Sequence, residues 1–231
     1  MKILAMDTSS INATVALCDE NKILGEFTVA GDRAHSQIIM PMLDELMKKC
    51  SLDIKDVDVF AVALGPGSFT GLRIGIAAMK TFAQTLGKSI IGVSSLDTVA
   101  ANFPSDGVYI CPIFDARRTD VYNAVYFGGK KITSDRICSI DTVLEEMKGK
   151  KVIFAGDGII KYREKILSFP QENWQTAPMH LALQSASSLA AIAMERANKN
   201  MFDNPDELLP IYIRPSQAER EYMEANGVDS I

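Results

Sequence analysis

The sequence predicts an α/β protein built from two similar halves, each with the element order β-β-β-α-β-α. Three observations support this prediction. Short β-rich runs come in two groups of three, and amphipathic helical patterns follow each group. Each group also begins with a strand that ends at an aspartate, Asp7 in "DTSSINATVAL" and Asp115 in "DARRTDVYNAV". Duplication is the simplest account, and chance similarity between two meanders is the alternative.

The first half opens with the runs "KILAMD", "NATVALCD" and "KILGEFTVA", which polar turns separate as in an antiparallel meander. Apolar residues then recur every three or four positions, which predicts a helix over residues 35–50. Pro41 either lies in its first turn or bends it. The run "VDVFAVAL" predicts a fourth strand that enters the loop "GPGSFTGLRIG". A second helix over residues 70–87 follows, with Gly87 placed to end it.

The second half repeats this order. "VYICPIFD", "TDVYNAVYF" and "KKITSDRICS" predict a meander, "IDTVLEEMK" a short helix, "KVIFAGDG" a strand and "LQSASSLAAIAMERANK" the closing helix. Such duplicated halves point to the ribonuclease-H-like fold in its two-lobed, actin-like (ASKHA) arrangement, where ligands bind between the lobes. We therefore expect lobes at residues 1–104 and 105–215, followed by an acidic tail at residues 216–231.

Composition excludes several classes of function. The chain has 231 residues and a net charge of −5, which argues against binding of a nucleic-acid backbone by this chain on its own. Its four cysteines include no C-x-x-C pair, so neither a zinc knuckle nor a dithiol redox site is predicted. No window approaches the roughly 18 to 20 apolar residues of a membrane span. We expect a cytoplasmic protein without a membrane partner.

The glycine-rich loop is not a standard phosphate motif. Leu72 follows Gly71 where a Walker A loop needs lysine, and the Rossmann glycine spacing is missed as well. A strand-to-helix turn remains, with Ser68 or Thr70 capping the helix. Gly65 and Gly67 would supply unusual backbone angles there. Free amides at such a helix start could still bind an anion, so these two glycines are candidates for nucleotide binding.

Asp7, Thr8 and Ser9 could hold a metal or phosphate through water, as aspartates at this position do in sugar kinases. Turn chemistry, in which these side chains bind nearby amides, is favoured because Thr8-Ser9-Ser10 fills the space where such kinases have glycine. His35 is followed four residues later by Ile39, so a mononuclear metal centre is not predicted.

Gly71, Gly75 and Ala78 share one face of the second helix, which predicts that another helix approaches that face closely. Two interpretations stay open: the two N-terminal helices pack on each other, or their outward faces form a subunit interface.

Four stretches together resemble one family: "MDTSSINATVAL", "RAHSQIIMPML", "GPGSFTGLRIG" and "LLPIYIRPSQAE". The chain is similar to the TsaB (YeaZ) family over residue 1 to about 219, and the glycine-rich loop is the most specific part of the resemblance. The resemblance implies an actin-like protein that is itself inactive. Its catalytic partner, TsaD, transfers a threonylcarbamoyl group from an adenylate to the adenosine beside the tRNA anticodon.

The resemblance further implies pairing with TsaD through the two N-terminal helices, homodimers through the same surface when alone, and a small ATPase, TsaE, in the complex. It implies only indirect contact with tRNA and no cofactor of its own, although ATP or ADP could lie at an interface with partners. Catalytic relatives carry an H-x-x-x-H metal pair in the first helix, which His35 and Ile39 do not form.

We expect seven residues to contribute to the partner-binding helical platform, with their inward and outward shares open: Ile39, Met42, Leu46, Leu72, Gly75, Ile76 and Met79. Rival hypotheses are a free-standing small-molecule kinase or nucleotide-binding protein, for which Asp7 would be essential, and a direct tRNA binder.

Overall fold

A computed structural model of the chain describes residues 1–31, 34–103 and 107–214, so the predicted tail at residues 216–231 lies outside the described residues. The strands are β1 Lys2–Asp7, β2 Asn12–Asp19, β3 Ile23–Ala30, β4 Val59–Gly65, β5 Ser89–Ser94, β6 Tyr109–Asp115, β7 Asp120–Asn123, β8 Tyr126–Phe127, β9 Lys130–Lys131, β10 Arg136–Ser139, β11 Val152–Ala155 and β12 Trp174–Thr176. The helices are α1 His35–Lys49, α2 Phe69–Leu86, α3 Ser95–Ala100, α4 Ile140–Glu146, α5 Gly158–Ser168 and α6 Ala186–Asn198.

The first sheet has the order β3-β2-β1-β4-β5. Strands β1, β2 and β3 pair antiparallel, as the meander pattern predicts, whereas β4 and β5 extend the sheet in parallel. Helices α1 and α2 cover one face of this sheet, and their buried residues form one core with the side chains of that face. Pro41 lies in the interior of α1, on its exposed side.

The second sheet repeats the first, with the order β10-β7-β6-β11-β12. Strand β6 takes the place of β1, since β7 pairs with it antiparallel and β11 pairs with it parallel. Asp7 and Asp115 are the last residues of the equivalent strands β1 and β6. The duplicated α/β fold predicted from the sequence is therefore confirmed.

Each half contains more elements than the predicted order. Strand β5 and helix α3 follow α2, and strand β12 is the corresponding addition in the second half. The predicted position of the closing helix was also wrong. It was expected directly after the strand "KVIFAGDG", but α5 follows that strand, and the alanine-rich helix α6 comes only after β12. Periodicity identified α6 as a helix, but a sequence pattern does not say which sheet a helix covers.

Helix α6 packs on the sheet of the other half. Its buried residues form one core with the second face of the N-terminal sheet, including Ile3 and Val59. Small residues such as Ala190 and Ala193 allow this close approach. The start of α6 is fixed by Glu26 of β3, whose carboxylate accepts hydrogen bonds from the amide and hydroxyl of Ser187 at 3.1 and 2.8 Å. The two halves are thus interlocked.

Helix α3 makes the reverse crossing, since Leu96 and Val99 are buried in the core of the C-terminal half. Across the described ranges, no helix is long and apolar enough to cross a bilayer.

Candidate functional site

The loop between β4 and α2 is a turn that seats the helix. Ser68 is the N-cap of α2, and its hydroxyl accepts a hydrogen bond from the Gly71 amide at 3.2 Å. The Ser68 amide in turn donates to the carbonyl oxygen of Ser9 at 2.6 Å. Of the two capping residues considered from the sequence, Ser68 is the one that caps. Gly65 has φ +106°, as predicted, and Gly87 ends the helix with φ +62°.

The small residues of α2 allow the turn after β1 to approach the helix. A Cβ atom at Gly71 would lie 2.0 Å from the carbonyl oxygen of Thr8, and one at Gly75 would lie 2.6 Å from the Thr8 hydroxyl. That hydroxyl donates to the Gly71 carbonyl at 2.7 Å. The prediction that another helix meets this face is therefore wrong, because the β1–β2 turn occupies it.

Gly67 has a similar role. A Cβ atom there would lie 2.1 Å from the carbonyl oxygen of Ser9. Because its φ is not positive, the prediction of an unusual backbone angle is wrong for Gly67. Close approach to the neighbouring backbone is what requires glycine at this position.

Asp7 is held inside the same junction. Its Oδ1 accepts a hydrogen bond from the Ser9 amide at 2.8 Å, which is the turn chemistry favoured from the sequence. The side chain is fully buried, and its Oδ2 has no hydrogen-bond partner among the described residues. Burial raises the pKa of Asp7 to about 6, and the hydrogen bond from the Ser9 amide opposes that rise. Asp7 does not line the cleft described next.

A cleft of about 520 Å³ lies between the two halves. Its walls come from the β1–β2 turn, the start of α2, the end of β6 and the chain segment at residues 211–214. Of the five nucleotide-site candidates, Ser9 and Gly67 line it, whereas Asp7, Thr8 and Gly65 do not. The structure thus brings the candidates into one junction. The Thr8 hydroxyl and Oδ1 of Asp7 make internal hydrogen bonds there, whereas Oδ2 of Asp7 and the Ser9 hydroxyl have no partner among the described residues.

Asp157 is a cleft residue that the sequence patterns did not single out. It accepts hydrogen bonds from the Ser10 hydroxyl at 2.5 Å and from the Asp115 amide at 2.9 Å. Burial raises the pKa of Asp157, and the Ser10 hydrogen bond opposes that rise. An aspartate between two glycines at the end of a strand, in "AGDG", is the signal that could have identified it.

The metal pair of the catalytic relatives does not fit this chain. The Nε2 atom of His35 donates to the Ser10 carbonyl oxygen at 2.8 Å, and Ile39 is fully buried in the core. Within residues 1–31, 34–103 and 107–214, no group of three potential metal-binding side chains occurs. The donor set that such a site requires is not assembled around His35.

The seven residues predicted for the helical platform all lie on the inward faces of α1 and α2. Each is buried within this chain, in or beside the core that joins the helices to the sheet: Ile39, Met42, Leu46, Leu72, Gly75, Ile76 and Met79. The inward and outward shares, which the sequence left open, are thereby assigned: all seven residues face inward in this chain. They hold the helices on the sheet and leave other residues facing outward.

The outward face of α1 carries charges that neutralise each other. Lys48 pairs with Asp44 at 2.6 Å and Lys49 pairs with Glu45 at 3.5 Å, both one turn apart. Met40, also on this face, is 40% exposed. The charges on this face therefore cancel, and the face is nearly neutral. Exposed ion pairs of this kind contribute little to the stability of the fold.

The outward face of α2 is small and uncharged over most of its length. Ala77, Thr81 and Thr85 are exposed, and the helix contains no acidic residue. Each of its two cations donates one hydrogen bond within the chain: Nε of Arg73 to the Tyr212 hydroxyl at 2.9 Å, and Lys80 to the Leu208 carbonyl oxygen at 3.1 Å.

Comparison with known proteins identifies the family. A family model described as "TsaD: tRNA N6-adenosine threonylcarbamoyltransferase" matches residues 22–223. The tRNA threonylcarbamoyladenosine biosynthesis protein TsaB of Bacillus subtilis is 33% identical over 97% of this chain and 99% of its own. A second such TsaB protein, from Haemophilus influenzae, is 26% identical over 93% of this chain and 94% of its own.

Solved structures agree with these relatives. YeaZ from Pseudomonas aeruginosa superposes with a TM-score of 0.77 at 26% identity, over 91% of this chain and 99% of that one. MreB5 of Spiroplasma citri, at 10% identity and a TM-score of 0.51 over 87% of this chain and 98% of that one, shares the actin-like fold. The chain belongs to the family that the matching model describes and, within it, to the TsaB (YeaZ) proteins.

Proposed function

We propose that this protein is a non-catalytic subunit in the synthesis of N6-threonylcarbamoyladenosine in tRNA. In this role it binds the catalytic protein TsaD through the outward faces of α1 and α2, and the ATPase TsaE joins the complex. The names of the TsaB relatives and the TsaD family match support a place in this biosynthesis. The cytoplasmic location expected from the sequence stays a prediction.

The outward face of α2 is the observation that carries the proposal. An exposed helix of 18 residues normally carries charged side chains along its solvent face, but α2 has only Arg73 and Lys80, and both are bound to residues 208–212. The small side chains of Ala77 and Thr81 would let a partner helix approach closely. This surface is better suited to contact with a partner helix than to exposure to solvent.

The non-catalytic part of the proposal rests on His35 and Ile39. The first is bound to the Ser10 carbonyl and the second is part of the core, so the metal pair expected in catalytic relatives has no counterpart here. Any ATP or ADP would then be bound at an interface shared with partners. Contact with tRNA would be indirect, in keeping with the net charge of −5.

Light-scattering mass across a gel-filtration column tests the proposal, with this protein, TsaD from the same organism and their mixture. We expect a dimer for the lone protein and a heterodimer peak for the mixture. Ala77→Glu should abolish the mixed peak because it places an unpaired carboxylate in the contact. Buried positions such as Met79 are unsuitable for this test, since a charge there would unfold the chain.

Ala191→Glu is the matched control, because Ala191 is an exposed alanine on α6, on the opposite side of the N-terminal sheet. It should leave the mixed peak unchanged. A wild-type protein that stays monomeric and indifferent to TsaD would overturn the proposal. Loss of the complex in both variants would also count against α2 as the specific surface.

A further inference from the structure

A segment after α6 returns over the N-terminal half and reaches the cleft. We call residues 199–214 the strap. The Asp203 amide donates to the Ile90 carbonyl oxygen at 2.9 Å, and the Ile211 amide donates to the Leu64 carbonyl oxygen at 2.7 Å. Between them, Leu208 is buried in the core beneath α2. These anchors fix the strap beside the helix.

The strap then lies along α2 at three successive points. Asp206 accepts a hydrogen bond from the Gln84 side chain at 2.6 Å, the carbonyl oxygen of Leu208 accepts from Lys80, and the Tyr212 hydroxyl accepts from Arg73. The contacts therefore run antiparallel to the helix over about three turns. The strap widens the surface of α2 and is continuous with the proposed docking face.

The strap holds Arg73 in a fixed position. The ring of Phe69 stacks on the ring of Tyr212 with centroids 4.4 Å apart, and the guanidinium carbon of Arg73 lies 4.0 Å from the Phe69 centroid. The Nε atom of Arg73 donates to the Tyr212 hydroxyl at 2.9 Å. Stacking and this hydrogen bond together fix the plane of the guanidinium group.

Among the residues that the structure describes, none accepts a hydrogen bond from the terminal nitrogens of this guanidinium group. The side chain is exposed, and no carboxylate of the described residues pairs with it. Its terminal nitrogens form the planar pair of donors that binds a carboxylate with two parallel hydrogen bonds. A guanidinium that is already ordered loses less side-chain entropy on binding than a free one.

We infer that Arg73, held by Phe69 and Tyr212, is an anchor of the docking surface and binds a carboxylate side chain of the catalytic partner. This inference rests on the proposed function. Arginine and aromatic residues are enriched among the few interface positions that dominate binding energy, and Arg73 combines both chemistries at one end of the neutral α2 face.

A second copy of this chain is a poorer source of the carboxylate. Helix α2 contains no aspartate or glutamate, so an α2–α2 contact brings no acid to Arg73. On α1, Asp44 and Glu45 lie beside Lys48 and Lys49, whose positive charges would oppose the approach of Arg73. A different protein with an exposed acidic side chain fits this position better.

Titration calorimetry of this protein with TsaD from the same organism tests the anchor. Arg73→Gln should weaken the affinity by about tenfold to a hundredfold, since it removes a charge-assisted contact. Arg73→Lys should recover only part of the loss because lysine keeps the charge but not the planar donor pair. The difference between wild type and Arg73→Gln should shrink as salt increases.

Arg163→Gln is the matched control, an exposed arginine on α5 in the other half, and should bind like wild type. Melting curves of each variant alone verify that the fold is kept. If wild type binds TsaD and Arg73→Gln binds equally well, the anchor is wrong while the proposed function stands. If wild type does not bind, the proposed function fails first. If Arg73→Gln weakens only the homodimer, the carboxylate belongs to a second copy and the inference is overturned.

Discussion

The Ser10 hydroxyl donates a hydrogen bond of 2.5 Å to Oδ2 of Asp157 and so joins the two halves across the floor of their cleft. Ser10 belongs to the turn after β1, and Asp157 precedes α5. The two residues are 147 positions apart in sequence, so this contact forms only when both halves are in place.

Removing the Ser10 hydroxyl should destabilise the protein measurably. Ser10→Ala deprives a half-buried carboxylate of a donor, which should lower the free energy of unfolding by about 2 kcal/mol. Urea unfolding followed by circular dichroism measures the difference. Ser36→Ala, at an exposed serine of α1, is the control and should change the value by less than about 0.5 kcal/mol. Equal losses in the free energy of unfolding for the two variants would show that the hydrogen bond between Ser10 and Asp157 does not stabilise the folded protein.

The buried carboxyl of Asp7 should make stability depend on pH. Its pKa rises from 3.8 to about 6 on folding, so the folded state favours the protonated form. Stability should therefore fall as pH rises through this window, by about 3 kcal/mol in total at 1.36 kcal/mol per unit. Unfolding free energies between pH 4 and pH 7 test this. Asp7→Asn should lack this part of the pH dependence, and identical slopes for both proteins would contradict the assignment.

Gly71→Ala should be one of the most damaging single-methyl changes in the chain. The added Cβ would lie 2.0 Å from the Thr8 carbonyl oxygen, so the turn after β1 and α2 must move apart. We expect a loss of about 3 kcal/mol or more in the free energy of unfolding. At Gly87 an added Cβ meets no atom within 4 Å, so Gly87→Ala should cost only about 1 kcal/mol for its positive φ. Comparable melting temperatures for the two variants would count against the contact.

The isolated protein should not bind ATP with magnesium. A phosphate that approached the glycine turn would meet the carbonyl oxygens of Thr8 and Ser9, which already occupy the space beside Gly71 and Gly67. Asp7 is fully buried and is not among the residues that line the cleft. Calorimetric titration should show no heat of binding. Tight binding that Asp7→Ala abolishes would instead favour the small-molecule kinase hypothesis.

The sequence was sufficient to predict the two N-terminal helices and the strands around them. Helix α1 at His35–Lys49 and helix α2 at Phe69–Leu86 match the predicted ranges closely, because apolar periodicity and the Gly87 cap are local signals. The face of each helix was harder to assign. The regularly spaced apolar residues, such as Leu46 and Met79, are those that pack inward, so the interface had to be sought among the residues between them.

Long-range partners could not be predicted from local patterns. Gly71 and Gly75 signalled a close approach, but nothing near them in sequence indicated that Thr8 would be the neighbour. The amphipathic pattern of α6 likewise indicated burial without indicating which sheet it covers. Asp157 had a local signal in "AGDG", but only the fold shows that its hydrogen-bond partner is Ser10.

The crossing of α6 has a consequence for how the protein is made. One face of the N-terminal sheet, with Ile3 and Val59, is covered by a helix that the ribosome completes about a hundred residues after β5. At about 5 to 20 residues per second, that face stays uncovered for roughly 5 to 20 seconds during translation. A nascent chain with such an exposed apolar face is a substrate for ribosome-associated chaperones until α6 emerges.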